Sequence, residues 1–387
     1  MKFFTTKQPS KDLLKKVECI KDELLKNPPA FFQIEKNSFI EACETAYEEF
    51  MNFEHLLVLG IGGSVLGTQS VIQALKKDDK ITILDNIDSE EIKNKLEKIN
   101  WNKTCVNVIS KSGNTLETMI QLTIVEKILK EKYPEKFSER IVCTTGLNSK
   151  LYKHAEENNY SIIPVPEEVG GRFSVLTPVG IFPLLFAGAN VNKLLEGSEK
   201  VISHESKINS QFVALQYHSY IEEKRSITVL MTYHKKLLGL LDWYRQLLAE
   251  SIGKNEKIGI TPVLAFGSTD QHSQIQLYNE GPQDKLIFFL SAPFEKDSEK
   301  FEVMGIEKKI GISEAQSALF EGTKKGLEKH NKPYIEIKLD KVDEKEIGEF
   351  LMTCMIQITI LAELFGVNAF NQPGVEEGKV QAKIILS

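Results

Sequence analysis

The sequence lacks several features that would assign it to a class at once. Its five cysteines are odd in number, widely scattered and never in a Cys-x-x-Cys pair, which argues against a disulfide framework and against a zinc site. No run approaches the roughly eighteen consecutive apolar residues of a membrane span, and residues 1–10 lack the apolar run of a signal peptide. These absences favour a soluble protein of the reducing cytoplasm.

An excess of positive charge is also lacking. The 48 Lys and Arg residues are outnumbered by 54 Asp and Glu, for a net charge of -6. Nucleic acids and anionic membranes both favour partners rich in Lys and Arg, so neither is expected to bind here. The hydrophobic share of 42% and the charged share of 26% are those of an ordinary globular protein. A chain of 387 residues favours two domains.

Short apolar runs recur in both halves of the chain. They lie at residues 55–60, 80–85, 106–110, 140–145 and 160–165, and again at 226–233, 261–267, 285–291 and 333–339. The segments between them carry helical periodicity, and a mostly helical stretch from Pro178 to about Glu223 separates the two sets. Strand and helix in alternation are typical of doubly wound α/β domains with parallel sheets. The sequence therefore predicts two such domains in tandem.

The same pattern sets the expected domain limits. Residues 1–53 are rich in Lys, Glu and Leu at helical spacing and are expected to form a helical N-terminal segment. The first α/β domain is expected at 54–195 and the second, with its linker helices, at 196–366. A long helical pattern over 344–364 ends at Gly366. An irregular tail, 367–387, is expected to close a site.

Ligands bind at the carboxyl ends of strands in open α/β sheets, so the loops after the strands are informative. The run of residues 60–67, Gly-Ile-Gly-Gly-Ser-Val-Leu-Gly, allows backbone N–H groups to approach an anion. With Asp85 after the next strand it imitates a dinucleotide fingerprint, but Val65 occupies the third glycine position. A dinucleotide site is therefore disfavoured.

A second loop, residues 110–115, has the composition of a phosphate cradle. It reads Ser-Lys-Ser-Gly-Asn-Thr and is followed by an amphipathic helix. Three hydroxyls, a cation and the amides of a helix N-terminus suit a dianion. Helix capping by Ser112 or Asn114 is the simpler alternative, but it explains one polar residue and not the whole set.

Four further residues are candidate site residues, but each is weak evidence unless the other motifs are considered with it. Arg172 follows paired glycines and could stabilise an oxyanion. Glu250 lies four residues after Gln246 on a predicted helix and could be a general base, or an ordinary solvated glutamate. His272 follows a strand and could donate a proton or cap a helix. Lys379, in the tail, could be catalytic or simply solvated.

Taken together, these motifs resemble those of the phosphoglucose isomerase family, over about residues 56–379. Gly-Ile-Gly-Gly-Ser, Ser-Lys-Ser with a nearby threonine, Gly-Gly-Arg-Phe-Ser, Glu-Ser-x-Gly-Lys, a Gln-His pair and Gly-Val-Glu-x-Gly-Lys occur in the family's order. The resemblance implies two sugar-isomerase (SIS) domains, each a flavodoxin-like αβα sandwich. It also implies interconversion of glucose 6-phosphate and fructose 6-phosphate through a cis-enediol, as in glycolysis and gluconeogenesis, without a metal or a redox cofactor.

The resemblance also implies roles for individual residues. Glu250 would be the base that moves the proton between C2 and C1, and Arg172 would stabilise the enediolate. His272 and Lys379 would open the sugar ring, with His272 contributed by the other subunit of a homodimer, and Glu117 matches a family position near that histidine. The implied substrate-binding residues, with the phosphate held by residues 110–115, are Gly62, Gly63, Ser64, Ser110, Lys111, Ser112, Thr115, Gln246 and Gln372.

Three alternatives compete with this interpretation. A related isomerase could also act on mannose 6-phosphate by the same enediol chemistry. A non-catalytic SIS-domain sensor of sugar phosphates would need a DNA-binding or partner module, and no basic helix-turn-helix pattern is visible. An aminotransferring SIS enzyme would need a nucleophilic N-terminal cysteine, which the sequence does not have. His234 is assigned no role, because it stands where relatives often have Ser or Asp.

Overall fold

The computed structural model describes residues 1–35, 37–203 and 210–386. Its strands are β1 (Lys2–Thr5), β2 (His55–Leu59), β3 (Ile81–Leu84), β4 (Thr104–Ile109), β5 (Ile141–Thr145), β6 (Ser161–Pro164), β7 (Ile227–Thr232), β8 (Thr261–Phe266), β9 (Lys285–Ser291) and β10 (Tyr334–Lys338). Its α-helices are α1 (Lys11–Lys26), α2 (Asn37–Phe50), α3 (Leu66–Leu75), α4 (Ser89–Glu97), α5 (Leu116–Lys132), α6 (Lys150–Asn158), α7 (Pro178–Phe186), α8 (Val191–Ile202), α9 (Ser210–Ile221), α10 (Leu238–Ile252), α11 (Ile275–Glu280), α12 (Ile312–Lys329), α13 (Glu344–Phe365) and α14 (Glu376–Leu386).

The chain divides into two compact units, and the N-terminal segment contributes to both. The first unit comprises Asn27–Gly197, and the second comprises Met1–Lys26 together with Ser198–Ser387. Helix α1 therefore belongs to the second unit and α2 to the first, although the sequence analysis treats residues 1–53 as one helical segment. That segment also contains β1, a strand that the sequence analysis did not predict. The limits 54–195, 196–366 and 367–387 stay predictions.

The first unit is built on a five-stranded sheet in which every strand is parallel to its neighbours. The strand order is β3-β2-β4-β5-β6, and each strand lies within two residues of its predicted limits. Counted within the unit this order is 2-1-3-4-5, the flavodoxin-like arrangement. The winding changes direction between β2 and β4, so the ligand-binding crevice is expected at the carboxyl ends of these two strands.

The core of the first unit explains why its strands are continuous apolar runs. All six residues of β4 are buried, as expected for a parallel strand covered by helices on both faces. Val106 and Val108 of this strand lie in one apolar cluster with Leu122 and Val125 of α5. Each such buried side chain contributes about 1.5–3 kcal/mol of transfer free energy. This packing fixes α5, and with it the loop that precedes α5.

The second unit is also built on a five-stranded sheet, with one antiparallel edge. The order is β1-β10-β9-β7-β8, where β7 to β10 are parallel and β1 runs antiparallel to β10. The four predicted strands of this half lie within one residue of their predicted limits. Both units are thus α/β domains with helices around a largely parallel sheet, as predicted.

Helix α13 has the boundaries that the sequence predicts. Asp343 caps its start by accepting a hydrogen bond from the backbone N–H of Glu346 (2.9 Å), and Gly366 ends it in the left-handed conformation (φ 67°). This helix is long and apolar enough to cross a membrane, but core helices of globular domains meet the same criterion, and 94% of its apolar window is buried inside the structure.

The expectation of an irregular tail is wrong. Residues after Gly366 include a single 3₁₀ turn, Pro373–Val375, followed by helix α14. Every residue of α14 is at least partly exposed.

Candidate active site

In the first unit, the glycine loop after β2 lies against the Gly-Gly-Arg loop. Residues Gly62–Ser64 form a single 3₁₀ turn, and Gly62 adopts a left-handed φ of 57°. A Cβ added to Gly63 would lie 2.4 Å from the carbonyl carbon of Gly171 and 2.7 Å from the backbone nitrogen of Arg172. Ser174 reinforces the contact, because its hydroxyl lies within hydrogen-bonding distance of the carbonyl oxygen of Gly63 (3.4 Å) as well as that of Gly171 (2.7 Å). Two of the predicted loops are therefore in direct backbone contact.

The loop of residues 110–115, after β4, is closed by its own hydroxyl groups. The Ser110 hydroxyl accepts a hydrogen bond from the Gly113 N–H (3.1 Å) and donates to the hydroxyl of Thr115 (3.3 Å). The Ser112 hydroxyl accepts from the Asn114 N–H (3.2 Å). Gly113 has a left-handed φ of 62°, a conformation that glycine adopts at little cost. The loop is therefore held in shape from within.

The start of α5 has the features of an anion site. Its N-cap residue is Thr115, which makes no side-chain capping bond among the described residues. Capping by Ser112 or Asn114, the simpler interpretation of these residues, is therefore wrong. The first-turn N–H groups of a helix have no intrahelical partner and carry a partial positive charge. A bound phosphate would satisfy them at this position.

Lys111, in the same loop, is bound to backbone carbonyls. Its ammonium group donates to the carbonyl oxygen of Glu167 and to that of Val169 (3.1 Å). Partial burial lowers the pKa of Lys111 below its ordinary value, and the nearby carboxylates of Glu167 and Glu168 oppose this shift. The side chain thus joins the loop of residues 110–115 to the segment that leads into the Gly-Gly-Arg loop.

Arg172 is buried in the first unit, with 2% of its surface exposed. It lies on the 3₁₀ turn Gly171–Phe173, and its guanidinium carbon is 5.5 Å from the ring centroid of Phe173. That ring in turn stacks on Phe31, with centroids 5.0 Å apart. The turn is therefore anchored by aromatic packing beside the glycine contact.

In the second unit, α10 holds the two candidates that were predicted to share a helix face. The side-chain amide of Gln246 donates to Oε1 of Glu250 (3.0 Å). Both side chains are partly exposed, whereas Trp243 and Leu247 on the same helix are buried. The hydrogen bond fixes the orientation of the carboxylate, as expected for side chains four residues apart.

Lys254 makes hydrogen bonds beside these candidates that the sequence analysis did not predict. Its ammonium group donates to the carbonyl oxygens of Glu250 and Asn371. It thereby links the end of α10 to the residue before Gln372. The signal was present in the sequence, because Lys254 is the last residue of the Glu-Ser-x-Gly-Lys motif.

His272 and Lys379 are both exposed in the second unit. His272 follows the 3₁₀ turn Thr269–Gln271, whose loop is held by Asp270: its carboxylate accepts from the Phe266 N–H (2.6 Å). Lys379 lies on α14 and pairs with Glu376 (2.8 Å), one turn earlier on the same helix. Gln372 is likewise exposed.

His234 has the setting of a core histidine. It is 8% exposed and stacks on Phe294, with ring centroids 4.4 Å apart. Burial lowers the pKa of His234 to about 4, so the ring is neutral near pH 7.

Across residues 1–35, 37–203 and 210–386, no group of three or more His, Cys, Asp or Glu side chains could hold a metal ion.

Comparison with known proteins gives a consistent result. A family model described as phosphoglucose isomerase matches residues 34–288. The chain is 36% identical over 342 residues to the glucose-6-phosphate isomerase of Methanocaldococcus jannaschii, covering 86% of this chain and 84% of the relative. It is 36% identical over 378 residues to the glucose-6-phosphate isomerase of Carboxydothermus hydrogenoformans, covering 89% of this chain and 82% of the relative.

Solved structures agree on the fold. A hypothetical protein from Thermus thermophilus superimposes with a TM-score of 0.85 at 30% identity, covering 97% of both chains. A glucose-6-phosphate isomerase from Chlamydia trachomatis superimposes with a TM-score of 0.79 at 20% identity, covering 97% of this chain and 83% of the other. The predicted pair of αβα SIS domains is thereby confirmed. The chain belongs to the phosphoglucose isomerase family.

Proposed function

We propose that this chain is an aldose-ketose isomerase that interconverts glucose 6-phosphate and fructose 6-phosphate. Its membership of the phosphoglucose isomerase family supports this activity. The observation that carries it is the arrangement in the first unit: a loop suited to a phosphate lies on the carboxyl side of the sheet with the Gly-Gly-Arg loop, and Lys111 joins the two. Such an enzyme would serve glycolysis and gluconeogenesis in the cytoplasm.

The phosphate group would bind at the start of α5. The hydroxyls of Ser110, Ser112 and Thr115 and the first-turn N–H groups would supply its hydrogen bonds. The second unit offers a contrast: at the start of α12, the carboxylate of Asp297 accepts from the N–H groups of Ser313 (2.7 Å) and Glu314 (3.0 Å). An anion of the protein itself fills that position, which favours the first unit as the phosphate site.

The reaction itself would be a proton transfer through an enediol. Glu250 would remove the proton from C2 of the open-chain aldose and return it to C1, with Gln246 orienting its carboxylate. Negative charge would develop on the sugar oxygens, and the guanidinium of Arg172 would stabilise it. The backbone of Gly62, Gly63 and Ser64 would contact the sugar near this point.

Ring opening would precede the proton transfer. His272 and Lys379 would move protons on and off the ring oxygen, and Gln372 would contact the substrate. The exposure of all three side chains in the second unit is compatible with contact to a ligand. This part of the mechanism needs no metal ion or redox cofactor.

The enzyme would act as a homodimer in which His272 serves the partner's site. An apolar hairpin tip supports a protein interface: residues 301–310 form a hairpin closed by paired backbone hydrogen bonds. Its tip exposes Val303 and Ile306 by about two fifths and Met304 completely. Exposed apolar clusters of this kind mark protein-protein contacts.

Isotope incorporation tests the proposed reaction. Fructose 6-phosphate converted in D₂O should give glucose 6-phosphate of which part carries deuterium at C2, because the protonated carboxyl group exchanges with solvent in competition with returning the same proton. A complete absence of deuterium, even after many cycles of forward and reverse reaction, would favour a direct hydride shift and contradict the enediol mechanism.

A further inference from the structure

Lys111 is the one cation of the loop at residues 110–115, yet its ammonium group is engaged elsewhere. It donates to the carbonyl oxygens of Glu167 and Val169. These two carbonyls belong to the short segment that leads into Gly170, Gly171 and Arg172. The cation is therefore bound to the backbone that leads into the proposed oxyanion loop.

The backbone of Lys111 is itself fixed. The backbone carbonyl oxygen of Lys111 accepts a hydrogen bond from the N–H of Gly146 (3.1 Å), just beyond β5. The carbonyl oxygen of Ser110 accepts from the Thr145 hydroxyl (2.7 Å). A Cβ on Gly146 would lie only 2.8 Å from the Lys111 carbonyl oxygen, so the backbone approach at this point requires glycine. Lys111 thus extends from a rigid support to a loop segment that has no strand or helix of its own.

The loop that receives this contact bears on Arg172. The turn Gly171–Phe173 is held on one side by Gly63 and on another by the stacking of Phe173 on Phe31. The carbonyls bound by Lys111 supply a third restraint, before the turn. Loss of that restraint would allow the turn and the Arg172 guanidinium to shift, and misplacement of a catalytic group by about 1 Å can cost about a hundredfold in rate.

We infer that Lys111 is a positioning residue, which holds the Gly-Gly-Arg loop in register with the phosphate loop and thereby places Arg172 for the transition state. Its contribution to binding of the phosphate itself is secondary to the hydroxyls and the α5 amides. The inference rests on the proposed isomerase function for its kinetic consequence, but the contact between the two loops can be tested without it.

The test compares Lys111→Met with Lys111→Arg, using Lys127→Met, an exposed lysine on α5, as the control. Three quantities are measured: kcat and KM for fructose 6-phosphate, the competitive inhibition constant of inorganic phosphate, and amide hydrogen exchange over residues 166–174. Lys111→Gln, which is shorter and still polar, replaces the Met variant if that variant does not fold.

For Lys111→Met we expect kcat to fall about 30- to 100-fold while the inhibition constant of phosphate changes less than about threefold. Exchange over residues 166–174 should accelerate. Lys111→Arg should recover much of kcat, because a guanidinium can still donate to both carbonyls. The control should match the wild type in all three measurements.

Two results would overturn the inference. A tenfold or greater rise in the phosphate inhibition constant with kcat preserved would make Lys111 a phosphate ligand. Unchanged hydrogen exchange over residues 166–174 would show that the side chain does not restrain the loop, whatever the kinetics. If the wild-type protein does not isomerise fructose 6-phosphate, the proposed function fails, whereas the exchange measurement still decides whether Lys111 joins the loops.

Discussion

Gln246 and Glu250 lie one turn apart on α10, and the amide of the first donates to the carboxylate of the second. The backbone carbonyl of Glu250 also accepts from Lys254. The proposed base is thus held both by its side chain and at its position near the end of the helix. This is the preorganisation that general base catalysis needs, because the carboxylate must meet a carbon-bound proton at a defined angle.

Replacing Glu250 by Gln should abolish the proton transfer while retaining the ligand. The amide keeps the size of the side chain but cannot accept a proton, so we expect kcat to fall about a thousandfold. The inhibition constant of inorganic phosphate should change little. Steady-state kinetics and phosphate inhibition measure both effects, with Glu256→Gln, at an exposed position nearby, as the control. Turnover near the wild-type level would remove Glu250 as the base.

Substitution of Gly63 tests the contact between the glycine loop after β2 and the Gly-Gly-Arg loop. In Gly63→Ala the new Cβ would overlap the backbone of Gly171 and Arg172, so the loops must move apart. We expect kcat/KM to fall at least about tenfold, because Arg172 would be displaced. Gly322→Ala is the control: it lies within α12 with open space around it, and alanine there should stabilise the protein by about 0.5–1 kcal/mol. A fully active Gly63→Ala variant would contradict the proposed packing.

Residue types could be predicted from the sequence, but the direction of a side chain could not. The sequence indicates an anion loop from Ser110, Lys111 and Thr115, because helix N-termini and hydroxyl groups bind anions wherever they occur. It does not indicate that Lys111 donates to carbonyls more than fifty positions later in the chain. That contact depends on how β5 and the segment after β6 pack, which local spacing does not record.

At the scale of elements, α5, α6 and the start of β6 are joined by a buried carboxylate. Glu126 of α5 accepts hydrogen bonds from His154 (2.5 Å) and from the hydroxyl of Tyr160 (2.9 Å). Burial alone would raise the pKa of Glu126, but these hydrogen bonds and the charges of His154 and Lys130 lower it below its ordinary value of 4.5. The cluster therefore stabilises the arrangement of these elements when Glu126 is ionised.

A carboxyl whose pKa is lowered by folding stabilises the protein above its unfolded pKa and loses that contribution as the pH falls through its folded pKa. At pH 7, Glu126→Gln should therefore lower the free energy of unfolding by about 1–3 kcal/mol, as expected for hydrogen bonds to a charged group. The difference from the wild type should shrink as the pH falls below about 4.5.

Urea unfolding between pH 3 and pH 7 would measure this difference. Glu131→Gln, on the same helix but exposed, is the control and should show little change at any pH. A pH-independent difference for Glu126→Gln would mean that the carboxylate contributes by packing alone.

Strands β2 to β10 were predictable because each is a continuous apolar run between turn residues, which is how buried parallel strands appear in sequence. β1 was not, because its four residues alternate in exposure at a sheet edge and pair with β10 more than three hundred positions away. α14 was missed for a different reason. Pro373, Gly374 and Gly378 indicate irregular backbone, yet the residues from Glu376 onward form a helix.

At the scale of the whole molecule, the proposed homodimer has a distinctive consequence. If His272 serves the partner's site, each active site combines Glu250 of one subunit with His272 of the other. The variants Glu250→Gln and His272→Ala are then each inactive, because each removes one of these two residues from both sites of its own dimer. A mixed dimer would then contain one site with both wild-type residues. Random pairing of the two variants should recover about a quarter of the wild-type activity, because half of the dimers are mixed and each has one intact site of two.

Co-expression of the two variants with different affinity tags, followed by sequential purification, isolates the mixed dimer, which should itself show about half of the wild-type activity. Light scattering establishes the mass of the dimer. Met304→Glu at the hairpin tip should weaken the dimer, whereas the control Met51→Glu, also at an exposed position, should not. Absence of any recovered activity in a proven mixed dimer would place His272 in the site of its own subunit. The expectation that His272 serves the partner's site came from the resemblance to the phosphoglucose isomerase family, because spacing within one chain does not report which subunit a side chain serves.

The most direct measurement is the conversion of fructose 6-phosphate to glucose 6-phosphate by the purified protein, followed through a coupled dehydrogenase. Mannose 6-phosphate and EDTA are tested in parallel. The account predicts rapid conversion of the fructose ester and no change with EDTA, whereas reaction with the mannose ester as well would favour the related isomerase that acts on both esters. Binding of the fructose ester without conversion would contradict it and would make the protein a sensor of sugar phosphates.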